Sequence, residues 1–503
     1  MLRRLSSLLI VVLLCCAPAH ARTLRAKIAR VEAAAATLHG VTVQLDWPKD
    51  AVRGDLRLSA RELIASDAGL RYRDLKWRCP LRRDARGAWQ CDGVLQVGRG
   101  APVRLAVDIG SATTTAELSR GAARMRVRRR AATPAISDID LLRVPVAWAE
   151  TLVHRAWADA RLKSGTLDGA LTLEAPKGRP WRVHGDLGIA GLSLDTPDAS
   201  IAAENVSGQF RIDYRKSPAL AALDLDGHLR GGELLAGKAY VALPASPTAL
   251  RIDARQRTGA GWELPKISWR DGDALIADGS ASFGTDARLR VLDLQLRSAN
   301  IAPLRDRYLS GWMGLAGLGD LEMSGAAEGR VQLRDGVLQA VDAQLHGIDL
   351  VDPKGRFRFE GLSGTPRFSS TGAVAGELRW TRGEVYGLKF DAATLPFDSQ
   401  DGMIRLREAV NVPAFGGSMK FESFSLRPGR TGHPMDLQFG LSLDKIDIAQ
   451  VAKALGLPAF EGELTGRIPS ARYAGERLEF DGGLSMRLFS GSVELSQLSM
   501  ERP

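Results

Sequence analysis

Aromatic side chains are scarce: Phe, Trp and Tyr make up only 6% of the 503 residues. Packed cores usually lean on such residues, so a chain this long with so few points away from several thick cores. Histidine is sparse too, with seven residues scattered from His20 to His433. No His-Glu-x-x-His pair occurs, which excludes a common zinc-hydrolase pattern. A Gly-x-Ser-x-Gly elbow, a P-loop and a Gly-x-Gly-x-x-Gly turn after a strand are missing as well. The Asp-Gly turns around Asp168, Asp226, Asp271, Asp278, Asp335, Asp401 and Asp481 lack the ordered spacing of a calcium loop and read as hairpin turns. The expectation is a non-enzymatic protein with no catalytic residues, no metal and no cofactor.

Long apolar runs are lacking except at the start. Arg3 and Arg4 precede the run Leu8 to Cys16, and Ala19-His20-Ala21 follows. A basic start, a short apolar run and small residues read as a secretory signal, residues 1–21, cleaved after Ala21. Retention as an anchor is the rival reading. A spanning helix needs about 20 apolar residues, and Pro18 with His20 interrupts this one. Cys15 and Cys16 have no small residue before them, which argues against a lipoprotein signal. Removing the signal leaves 66 basic and 58 acidic residues, a net charge of +8. That balance suits a mildly basic soluble protein, and the partners it would favour are anionic headgroups or lipopolysaccharide phosphates.

Only two of the four cysteines, Cys79 and Cys91, lie beyond the signal. They sit on two strand-like segments, Leu75 to Leu81 and Ala88 to Val97, joined by the polar turn Arg82 to Gly87. Pairing these strands brings the cysteines close, and an oxidising compartment makes a disulfide the default. Free thiols or half a metal site are weaker alternatives. Such a staple stabilises by roughly 3 kcal/mol in the chain-entropy account.

What the chain has in abundance is glycine, 53 residues, and short stretches with period-two alternation. Residues 22–135 read as an N-terminal β region, although the alanines of Arg22 to Ala36 would also suit a helix. The run Arg124-Met125-Arg126-Val127-Arg128 reads as a strand with one charged, solvated face. Residues 136–503 read as a repetitive β region. The spacing predicts its best helix over 144–162, with Pro145 in the first turn. Gly165-Thr166-Leu167-Asp168-Gly169 then opens a strand. The same order of helix, glycine step and strand recurs at Leu292 to Gly325 and at Phe439 to Leu495. Leu294, Leu296 and Ile301 align with Leu441, Leu443 and Ile448. The glycines at 165, 319 and 462, spaced 154 and 143 residues apart, mark the three copies.

Each strand so read has one dry and one wet face. Three short helices are too few to cover the dry faces. Either two sheets pack face to face in a sandwich or barrel, or one long curved sheet keeps an apolar groove. Inward positions rich in Leu, Val, Ile and Ala suit an acyl-lined groove, with Leu294, Leu296, Phe439, Leu441, Leu443, Leu464, Phe480 and Leu484 as its candidate lining.

The run Leu441-Ser-Leu-Asp-Lys-Ile-Asp-Ile-Ala, through Leu464-Thr-Gly-Arg-Ile-Pro469, to Phe480-Asp-Gly-Gly-Leu484 resembles the AsmA-like superfamily of Gram-negative envelope proteins, in particular its YdbH-like branch. So does the helix and Gly-x-Leu-x-Gly entry at 145–169. The resemblance covers residues 140–503. It implies a mostly β fold, an elongated twisted antiparallel β-sheet groove, and a periplasmic location. It also implies phospholipid movement between inner and outer membranes, with a phospholipid or other acyl-chain lipid and the membrane surface as partners and no nucleic acid. A structural or assembly factor that binds an envelope protein, such as an outer-membrane or secretion component, is the alternative. The family's bridges usually keep an inner-membrane helix, whereas this signal looks cleavable. The chain also stops on the edge of a strand pattern at Pro503, as a truncated or split member would.

Overall fold

The computed structural model describes residues 23–501 except 33–36, 49–50, 66–69, 86, 177, 238, 316, 428–434, 455, 457, 459–460, 475–476, 482–483, 489–490 and 496–497. The signal and its cleavage point at Ala21 lie outside the described residues. The chain is mostly β and antiparallel, with short helices at three places. It divides into two compact units, Met1–Ala199 with Gln209–Pro218, and Ser200–Gly208 with Ala219–Pro503.

In the first unit each strand pairs with the next along the chain. Thr23–Glu32, Thr37–Asp46, Arg53–Ala65, Leu70–Arg83 and Trp89–Val97 form one continuous ladder. It runs on through Val103–Ile109, Thr113–Arg120 and Ala123–Arg130 to Ile136–Pro145, crossing the turn at 131–135 without a break. Arg161–Glu174 and Trp181–Asp195 extend it. The alternation seen in the sequence puts one row of apolar side chains across these strands: Cys91, Val107, Ala116, Val127, Ile139 and Leu171 are successive cross-strand partners. Residues directly opposite one another share a face, so the row is a continuous dry strip.

The second unit repeats the design. Leu225, Ile252, Ile267, Gly279, Leu294, Val331, Val341 and Phe368 stand opposite one another in turn. The next row, on the other face, reads Asp226, Arg251, Ser268, Asp278, Gln295, Arg330, Asp342 and Arg367. The insertion Glu233–Ala236 and Ala239–Ala242 is a small hairpin whose first strand pairs with Ile201 to Glu204, while Leu220–Arg230 goes on to pair with Thr248–Arg257.

Helices occur where a hairpin is closed by a longer connection. Val146–Ala149 and Glu150–Ala156 join Ile136–Pro145 to Arg161–Glu174. A π-turn Arg305–Leu309 with Ser310–Leu315 joins Leu289–Ser298 to Glu322–Arg334. Ile448–Ala454 joins Asp436–Asp447 to Glu463–Ala474. The three-fold recurrence expected from the sequence is therefore a recurrence of helix-closed hairpins. Two details differ. The first helix ends at Ala156, because Trp157 is already extended and Ala160 is fully buried at the start of the next strand. The ladder of Arg161–Glu174 with both neighbours outweighs the helical propensity of 157–162. The glycine matching Gly462 is Gly325 and not Gly319. Ile448 donates its N–H to the Gly462 carbonyl at 3.0 Å, and Ile301 does the same to Gly325 at 3.1 Å.

Long strands here change which residues face inward part-way along. Val31, Leu38 and Leu63 pack on the same cluster as Val41, Ala60 and Leu75, although their parity is opposite. Between them lie Gly40 and Asp74, with left-handed φ of 59° and 56°. One left-handed residue rotates the chain so that the next apolar residue returns to the dry face, in the manner of a bulge. Arg143 and Lys445 (φ 47° and 50°) do the same below two of the helices. Their N–H groups are taken up by side chains of the neighbouring strand, Asp168 Oδ1 at 2.8 Å and Thr465 Oγ1 at 3.3 Å.

Candidate functional site

The candidate site is the dry face of the ladder. In the second unit the row Leu225, Ile252, Ile267, Leu294, Val331, Val341 and Phe368 is only half-buried throughout. Among the described residues the largest side chains that are fully buried are Val412, Thr248, Cys79 and Ser399. Two sheets packed face to face would bury Leu, Ile and Phe completely. Such residues are buried here at scattered positions, Phe397, Ile301 and Ile446 among them, and the row across the strands is not among them. The chemistry open to such a surface is apolar contact along a strip, with no charged group on it to orient a reacting atom.

Leu294 and Leu296 lie two residues apart on one strand and face the dry side together, opposite Val331 and Gly329. Phe439, Leu441 and Leu443 do the same opposite Ala471, Ile468 and Gly466. Leu464 pairs with Ile446, beyond the switch at Lys445, and joins that set. Phe480 is in register with Ala471 and Leu484 with Leu495, but their side chains lie outside the described residues.

Cys79 and Cys91 form a disulfide with Cα atoms 5.5 Å apart. The bond is diagonal, since Leu81 and not Cys79 is the ladder partner of Cys91. Gly93 makes room for it: a Cβ there would lie 1.9 Å from the Arg78 carbonyl oxygen and 2.5 Å from Cys79 Cβ. Both cysteines are buried on the dry face.

Two features of the site were not expected from the sequence. The first is a triangle of rings. Phe359, Trp380 and Phe390 meet edge to face with centroids 6.0, 6.0 and 5.9 Å apart. Phe390 lies flat over Gly383, where a Cβ would come within 2.0 Å of the ring. These residues are far apart in sequence and meet only because three strands align, Phe359 opposite Gly383 and Gly383 opposite Phe390. Gly383, inside a strand that is otherwise rich in large side chains, was the sequence signal.

The second feature is how the middle helix is held. Asp271, 2% exposed, accepts two hydrogen bonds from Arg307 at 2.9 Å and one from the Tyr308 hydroxyl at 2.9 Å. Trp269 Nε1 donates to the same hydroxyl at 2.8 Å. Burial, reinforced by Asp271, pushes the Tyr308 hydroxyl pKa well up, so it stays a donor. On the other side Arg356 binds Asp352 at 2.5 Å and reaches the Gly317 carbonyl at 2.8 Å. That hydrogen bond holds the Asp352 carboxyl down to about 2.

The wet face is a ladder of ion pairs. Arg182 with Asp213, Arg126 with Glu117, Arg270 with Asp278 and Arg472 with Asp436 are examples. Arg182, helped by Arg215, draws the Asp213 carboxyl down to about 2. The run Arg124 to Arg128 is an interior strand with a wet face of this kind, with Arg124 and Arg126 on Glu117 and Met125 and Val127 on the opposite side. A cleft of about 720 Å³ on the wet face is a furrow between such pairs, lined by Arg270, Asp278, Gln295, Arg330, Asp342 and Arg367. Its arginines are mostly matched by acids, among them Arg270 with Asp278, so it makes a poor cradle for an ion.

No model of a known protein family matches the chain, and no curated protein sequence is significantly similar to it.

Proposed function

We propose that this is an exported periplasmic protein that handles phospholipid, carrying acyl chains along its dry face between inner and outer membranes, in the manner of the AsmA-like proteins of the YdbH-like branch that its motifs resemble. The observation that supports this reading is the half-buried apolar row across eight strands, whose Leu, Ile, Val and Phe side chains all keep some access to solvent. Apolar strips left partly open to solvent over this extent are candidates for a ligand or partner surface, and an acyl chain is the ligand that needs no polar partner along its length. The aliphatic lining fits a sliding chain, since it offers no hydrogen bond that would fix a register.

The test is to purify the protein under mild conditions, identify bound lipid by mass spectrometry, and place photo-reactive residues at Leu294 and Leu441 with Asp226 as a wet-face control. Lipid adducts at the first two positions and not at the third are expected. Adducts at none of them, with no co-purifying phospholipid, overturn the reading. Recovery of an outer-membrane or secretion protein at Leu294 and Leu441 instead of lipid would favour an assembly factor.

A further inference from the structure

The positive charge of the chain is concentrated at one end. Residues 22–135 carry 23 basic and 11 acidic residues, whereas residues 136–503 carry 43 basic and 47 acidic. The structure shows where that excess goes. In the strands Arg53–Ala65 and Leu70–Arg83, Arg57 stands directly opposite Arg78, and Arg53 directly opposite Arg82. Like charges in direct cross-strand contact destabilise a sheet. In the second unit directly opposed positions on the wet face include opposite charges, as in Arg330 with Asp342 and Asp226 with Arg251, and no arginine pair of this kind stands beside them.

The nearby acids offset this patch only in part, with Arg57 in electrostatic reach of Asp46 and Arg82 of Asp92 but neither in an ion pair. Asp55, between the two arginine pairs, faces Pro80. Glu62 is taken by Arg71 and Arg73, Asp92 by Arg104, and Asp46 accepts from Thr23 and Gln44. Lys27 and Lys76 lie in the adjoining row, on either side of Thr42 and Ser59. Lys27, Arg53, Arg57, Lys76, Arg78 and Arg82 are all exposed, and none makes an ion pair among the described residues. Val94, 55% exposed, sits in the same row between Arg78 and Arg104.

We propose that this face, the wet side of the N-terminal strands, docks on an anionic phospholipid surface. The occupant follows from charge and shape. An open sheet face of exposed cations, bordered at Arg82 by a cleft of about 430 Å³ that also carries Asp92, Asp108 and Glu117, selects by charge density. An anionic bilayer supplies that, and Val94 is placed to enter the headgroup layer. The inference rests on the lipid-handling reading, to which it adds the end that meets the membrane.

The test uses the full mature chain and sedimentation with vesicles of phosphatidylcholine, with and without phosphatidylglycerol. Binding is expected only to the anionic vesicles and is expected to weaken as salt rises. Arg57→Ser and Arg78→Ser should each lower the partition coefficient roughly fivefold. Arg78→Glu is the decisive variant. It places an acid opposite Arg57, so it should raise the unfolding midpoint while abolishing vesicle binding. A structural role would move both quantities together. Equal binding to neutral vesicles, or unchanged partition of the variants, overturns the proposal, as does binding only to an acidic protein or nucleic acid. Lipid adducts at Leu294 report on the dry face and do not depend on this patch, so the two readings fail separately.

Discussion

The two units share one plan and stabilise it differently. The N-terminal strands of the first unit are tied by a covalent staple between Cys79 and Cys91, and their wet face carries arginine opposite arginine. The corresponding wet face of the second unit carries arginine opposite aspartate, and its middle hairpin is closed by a helix held between two buried acids, Asp271 and Asp352. Like charges also meet in the second unit, where Asp224 stands opposite Asp253. Where they occur, stability has been given up, and in the first unit the disulfide ties the second arginine-bearing strand, Leu70–Arg83, to the next one, Trp89–Val97.

The sharpest way to break this contrast is at Gly93. Gly93→Val should cost at least about 3 kcal/mol, because its Cβ meets backbone at 1.9 Å. It should also slow oxidation of the cysteines, read by thiol labelling during refolding. Replacing both cysteines by alanine should cost about 3 kcal/mol. Hydrogen exchange should then rise in Leu70–Arg83 and Trp89–Val97 and stay unchanged around Asp271. Asp271→Ala should do the reverse, costing about 2–3 kcal/mol because Arg307 keeps some access to solvent, with exchange rising around Arg305–Leu315. The Cys variants report on the first unit and the Asp variant on the second. Exchange that rose in both units for either variant would show that the units are not independently stabilised.

Acid separates the units more finely. Asp213 titrates at about 2 in the folded first unit, below an ordinary aspartate. A lowered folded pKa gives stability that is present above the ordinary value and is lost as pH falls through the folded one. The loss should fall between about pH 4 and pH 2. Asp213→Asn should flatten that limb for the first unit and leave the share of Asp352 in the second. The smallest effect expected is at a paired position. Arg330→Ala removes one exposed partner of Asp293 and should cost no more than about 1 kcal/mol.

Much of this architecture was legible in the sequence. Alternation gave the strands, the dry face and the pairing of Leu294 with Leu296. Cysteine spacing gave the staple, and the run from Leu441 through Ile448 gave the third helix-closed hairpin. Helix length was not legible, because residues 157–162 favour helix locally and are claimed by a ladder that only the fold creates. The strand switches were hidden for a similar reason. Asp74, Arg143 and Lys445 adopt left-handed backbone although nothing in their identity demands it, and for Arg143 and Lys445 only the partner strand supplies the side chain that accepts the freed N–H. The ring triangle needs three strands in register, which no local pattern encodes. The excess of arginine was visible as a number, but its pairing with itself was a property of the register.

In the first unit neighbours in the ladder are neighbours in the chain, from Thr23–Glu32 to Trp181–Asp195, whereas in the second several strands skip one or two, as Val337–Val351 does to pair with Arg367–Ser369 and Phe357–Thr365 with Val374–Val385. Each hairpin of the first unit can therefore close on the strand just before it, and the partners in the second are never far along the chain. A chain delivered end first through a narrow channel meets the same order in time as in space. Folding can keep pace with delivery, with short loop closures at each step. The apolar strip would then grow one strand at a time on a sheet already formed, so little of it is left unpaired at any moment.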